Sequence, residues 1–122
     1  MIKSKKRRKS NPNVWTNAHL RAAFREINRN YFNNLLQEPS TLVFEKMKDD
    51  GKTQWMTSGL VYMKIHQDFR YHPDVARLVL THEMIHLGLG IQYMGDLNGN
   101  HGMRFQAEKV RLFNEGAYDT VL

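Results

Sequence analysis

The sequence predicts a compact α+β domain, about three helices packed on a small three-stranded sheet. Three observations lead there. Apolar residues recur at helical spacing around residues 20–35, 75–87 and 103–113. Residues 41–66 are instead rich in β-branched and aromatic residues, with apolar side chains on alternate positions. Clusters of Asn, Asp, Gly and Pro punctuate the boundaries between these segments. The chain has 122 residues, 41% of them hydrophobic, enough for one core.

The first 14 residues stand apart as a basic tail, expected to be disordered. Lys3, Lys5, Lys6, Arg7, Arg8 and Lys9 carry the whole net charge of +6, and without them 12 basic residues face 12 acidic ones. Six like charges with no apolar residue among them repel one another and stay solvated. Such an arm reads as a solubilising device or as a contact for nucleic acid or another polyanion, and a nuclear-import signal has the same composition. Residues 15–122 form the expected folded domain.

Thr16 is read as the N-cap of the first helix, expected over residues 17–36. Its apolar stripe is Leu20, Phe24, Ile27, Tyr31 and Leu35. Strand material follows at 41–48, 53–56 and 60–66, with turns at 49–52 and at Ser58-Gly59. The sheet is expected to be antiparallel or mixed. Pro73 suits the first turn of a second helix, and His72 before it is expected to be non-helical. This helix is apolar nearly all round and should be central. Gly88 is read as its end. Residues 88–102 hold five of the eight glycines and read as a long functional loop. A third helix is expected over 102–115, with Met103, Phe105, Val110, Leu112 and Phe113 as its apolar positions and Gly116 as its stop.

One motif carries chemistry. His82-Glu83-Met84-Ile85-His86 is an H-E-x-x-H sequence inside the second helix. Histidines four apart lie one turn above each other, with Cβ atoms ~5–6 Å apart. Both rings can then reach one ion at Zn–N distances of ~2.0–2.1 Å. Glu83 lies one residue further round the helix, off the ligand face, where a carboxylate can act as general base on water. A catalytic zinc takes a third protein ligand. Three residues are candidates from their positions: His101, Glu108 and Asp96. The extended H-E-x-x-H-x-x-G-x-x-H form does not occur, because Leu89 and Gln92 occupy its glycine and third-histidine positions. With no Cys, a thiolate ligand, a thiol nucleophile and disulfides are all excluded. His19, His66 and His72 read as surface histidines.

Three stretches together resemble an SprT-like zinc metalloprotease domain. Phe24-Arg25-Glu26-Ile27-Asn28-Arg29-Asn30-Tyr31-Phe32 is similar to that family's F..IN..YF helix. Leu80-Thr81-His82-Glu83-Met84-Ile85-His86-Leu87 is similar to its catalytic helix, and His101-Gly102-Met103-Arg104-Phe105 to its HG..F element. The resemblance spans about residues 17–115. It implies that His101 is the third ligand beside His82 and His86, with one Zn2+ per chain and Glu83 as the catalytic residue. It implies a zinc-dependent endopeptidase acting on protein substrates, with proteins associated with or crosslinked to DNA as a substrate class. Many members carry a Cys-rich zinc ribbon, which this chain lacks, so the basic tail is the candidate DNA contact. The alternative function is a non-catalytic, nucleic-acid-associated or structural assembly module with a structural zinc. No apolar run suits a membrane span and no apolar stretch follows the basic tail as in a secretory signal, so the expected location is intracellular, cytoplasmic or with the nucleoid or nucleus.

Overall fold

A computed structural model describes residues 13–92 and 101–119. The fold is α+β, with three α-helices and a three-stranded mixed sheet among the described residues. The elements run α1 (Asn17–Tyr31), β1 (Thr41–Glu45), β2 (Gly51–Trp55), β3 (Val61–His66), a 3-10 helix (Gln67–Tyr71), α2 (Pro73–Gln92) and α3 (Met103–Asn114). Residues 1–12, with all six cations of the basic tail, and Asp96 lie outside the described residues. Among the described residues, no helix is long and apolar enough to cross a membrane.

Thr16 caps α1, as its residue type predicts. Its hydroxyl accepts from the His19 amide at 3.4 Å, and the Thr16 amide donates to His19 Nδ1 at 3.0 Å. His19 thus fills the place that Glu or Gln takes in a capping box. The helix stops at Tyr31, five residues short of the expected end. Phe32 caps it, and Asn33 and Asn34 turn the chain with φ of 53° and 60°, a left-handed conformation that Asn tolerates well. Buried Asn28 then fixes the return. Its side-chain amide donates to Leu36 O and its carbonyl accepts from Leu36 N, both at 3.1 Å. Leu36 is therefore buried, while Leu35, expected on the helical stripe, is 73% exposed.

The strand order is β1-β3-β2, with β1 parallel to β3 and β2 antiparallel to it. β1 ends at Glu45 rather than at 48, and β2 begins at Gly51, inside the expected turn. Val61, Met63 and Ile65 of central β3 face the helices and are fully buried, whereas Tyr62, Lys64 and His66 face away and are not. The core joins this inner face to Leu20, Phe24 and Ile27 of α1, Leu80, Met84 and Leu87 of α2, and Phe105 and Leu112 of α3.

α2 begins at Pro73 and runs past Gly88 to Gln92. Gly88 is a packing glycine rather than a cap: a Cβ there would come within 3.2 Å of Leu36 Cδ2. Residues 88–92 of the expected loop are therefore helical. In α3 only Phe105 and Leu112 of the expected apolar positions are buried. Met103, Val110 and Phe113 are 88%, 59% and 60% exposed, because α3 touches the body along a single narrow face. Gly116, at φ +90°, ends the helix as predicted, with Ala117 N donating to Leu112 O and Gly116 N to Phe113 O.

Candidate metal centre

The H-E-x-x-H residues lie mid-way along α2, where the helix runs over the sheet. The periodicity of α2 sends His82 and His86 to one side, toward the start of α3. His101, two residues before α3, meets them there. His101 Nε2 lies 3.1 Å from His86 Nε2 and 3.1 Å from His82 Nε2. The three ring centroids form a triangle with every edge 4.9 Å. His86 is buried, His82 half-buried and His101 exposed, so the cluster opens toward solvent on one side.

This arrangement fits a metal ion better than a hydrogen-bonded set. An imidazole nitrogen offers either one N–H or one in-plane lone pair, so His101 Nε2 cannot bond well to two neighbours at once. A tetrahedral zinc with ~2.0–2.1 Å bonds would set its nitrogens ~3.3 Å apart, close to what is found. Burial, aided by the nearby His101 and Lys109 and opposed by Asp50, pushes the His82 pKa down. That favours the neutral imidazole a metal requires. The three histidines can therefore hold a metal ion.

Of the other third-ligand candidates, Glu108 is turned away into an ion pair with Arg111 at 2.9 Å, and Arg111 also donates to Tyr31 O at 2.8 Å. Phe105 supplies the floor of the site. Its buried ring lies 4.7 Å from the His86 and His101 centroids and 4.9 Å from that of His82. It therefore shuts water out beneath all three ligands.

Glu83, one residue further round α2, lies against β2. It is buried, and its Oε1 accepts from the Thr53 hydroxyl at 2.7 Å. Burial raises the Glu83 pKa, Asp49 adds to this, and the Thr53 bond opposes it. Gly51 makes this packing possible. A Cβ at Gly51 would fall 2.8 Å from Val79 Cγ1 and 3.1 Å from Glu83 Oε2. Glu83 and His82 share a cleft of about 360 Å³ with Asp50, Gly51, Leu78 and Val79. A carboxylate with raised proton affinity and one histidine of the cluster, His82, thus line one recess.

Thr53, Gly51 and Phe105 complete the site without having been marked as site residues by the sequence. A glycine at a strand start is a weak sign of close backbone approach; nothing local marks Thr53. Away from the site, His66 Nδ1 accepts from the Asp68 amide at 3.1 Å and His72 caps the 3-10 helix, so neither joins the cluster.

Fold and site together define a compact α+β domain with a three-histidine candidate metal centre. No family model, no curated protein and no solved structure matches the chain.

Proposed function

We propose that the chain is a zinc-dependent endopeptidase of the SprT-like type, holding one zinc ion through His82, His86 and His101. The observation that carries this reading is the convergence of three imidazole nitrogens, one of them on His82, which shares its cleft with the buried Glu83 carboxylate. A non-catalytic zinc module would have no use for that carboxylate.

When bound, zinc supplies a Lewis acid that polarises the scissile carbonyl and makes water a readier proton donor. The chain's own residues do the rest. Glu83 takes the proton of the attacking water on its carboxylate and passes it to the leaving amine. Its burial matters here, because a base with raised pKa works closer to neutral pH. Thr53 holds Oε1, and the missing side chain of Gly51 keeps room beside Oε2. Phe105 packs beneath the three rings. The basic tail, Lys3, Lys5, Lys6, Arg7, Arg8 and Lys9, would bring the domain to DNA, making DNA-associated or DNA-crosslinked proteins the substrate class.

The test is degradation of a DNA-bound basic protein, with and without DNA, with zinc or with chelator. Cleavage should appear, be abolished by chelator, return with zinc and quicken with DNA. A chain that binds zinc but cuts no protein under any of these conditions would instead be a non-catalytic module.

A further inference from the structure

A second recess lies between α2 and α3, about 380 Å³ in volume, lined by Leu78, Gln106, Lys109, Val110, Phe113 and Tyr118. It has an apolar floor left in contact with water: Val110 and Phe113 are 59% and 60% exposed. Leu78 lines this groove and the metal cleft alike, so the two adjoin. Lys109 lines the groove too, one helical turn along α3 from Phe105, whose ring packs under the histidines.

The spacing suits one kind of occupant. Leu78 precedes His82 by one helical turn, about 6 Å along α2. An extended polypeptide advances ~3.3 Å per residue. A chain with its reacting bond at the histidines therefore reaches the groove one or two residues away. The lining also carries groups able to donate to backbone carbonyls: the Gln106 amide, which already donates to His101 O at 3.3 Å, the Lys109 ammonium and the Tyr118 hydroxyl. Burial raises the Tyr118 pKa and keeps that hydroxyl protonated. An apolar floor ringed by a few polar groups is the usual make-up of a specific pocket. One cation over an apolar floor does not suit a polyanion.

We propose that the α2–α3 groove is a substrate subsite, which takes an aliphatic or aromatic side chain one or two residues from the bond cut at the metal centre. The proposal rests on the peptidase reading of the cleft, and its test separates the two. Zinc-loaded full-length Glu83→Gln protein would be titrated with short fluorescent peptides differing only in Leu, Phe, Gly or Asp at one position. The same is done with Val110→Asp and Phe113→Ser added singly, since both side chains are largely exposed and outside the core. Zinc content and melting temperature check each variant.

Leu and Phe peptides should bind about ten- to a hundredfold more tightly than the Asp peptide, and each added substitution should erase most of that preference. Wild-type cuts should then cluster one or two residues from the apolar side chain. Equal affinity for all four peptides, or a preference that survives both substitutions, overturns the subsite. A dimer of the full chain that Val110→Asp splits into monomers also overturns it, by naming a second copy as the occupant. Val110-dependent binding without cleavage of any peptide keeps the groove and rejects the peptidase. Cleavage without side-chain preference does the reverse.

Discussion

Replacing His101 by Ala should weaken zinc binding about a hundredfold while leaving the fold intact. Both halves of that statement come from position. His101 is exposed and precedes α3, so its removal opens no core cavity. The substitution removes one of three converging nitrogens and the ring packed 4.7 Å from Phe105. Four-ligand zinc sites bind with roughly 10–16 kcal/mol in all, or about 3 kcal/mol per ligand. At 1.4 kcal/mol per tenfold, that is a weakening of about 10². Glu108→Ala is the matched control. It removes one partner of Arg111, which keeps Glu115 at 3.2 Å and Tyr31 O at 2.8 Å, so zinc affinity should stay within about twofold. The assay is competition for zinc against a chromophoric chelator, with a melting curve for each variant. An unchanged affinity in His101→Ala, with a large drop in Glu108→Ala, would refute the three-histidine reasoning and move the third ligand to α3.

Asn28→Ala should lower stability by about 2–4 kcal/mol, since it leaves both Leu36 backbone groups without their buried partner; a melting temperature equal to wild type would contradict this. Glu38 gives a pH dependence. Arg25 first, then Arg21, hold its pKa below the usual carboxylate value. Its stabilising effect should be present above the unfolded value of ~4.3 and fade as pH falls through the lower folded value. Denaturant melts of wild type and Glu38→Gln should differ at pH 6 and converge in strong acid; a gap that persists there would reject the ion-pair origin. Deleting residues 1–10 should weaken DNA binding and flatten its salt dependence by roughly 0.7–0.9 for each phosphate the tail neutralises. An unchanged salt slope would remove the tail from the DNA interface.

Where the sequence was legible, local rules decided the outcome. Thr16 and Pro73 start helices through capping and the fixed proline backbone, and Gly116 ends one through a left-handed turn. The histidine pair could be placed on one helix face from its spacing alone. Where expectation and structure part, tertiary packing won. α1 ends early because Asn33 and Asn34 turn left-handed and the Asn28 side chain bonds the returning backbone at Leu36. Gly88 reads as a stop by residue type, yet it serves to let Leu36 pack against α2. Val110 and Phe113 look like core residues by spacing, but of the apolar positions of α3 only Phe105 and Leu112 are buried. Thr53 reaches Glu83 across 30 positions, a pairing that follows from sheet register and helix placement and leaves no trace in either neighbourhood.

The central claim, that Glu83 works as a base beside a zinc held by three histidines, is tested most directly by one paired measurement. Wild-type and Glu83→Gln proteins would be assayed side by side for zinc content and for cleavage of the same protein substrate. Gln keeps the size of the side chain and can still accept from Thr53, but it cannot take a proton from water. Both proteins should carry one zinc per chain, and the variant should cut at least about a hundredfold more slowly. Equal cleavage rates in two fully loaded proteins would contradict the account.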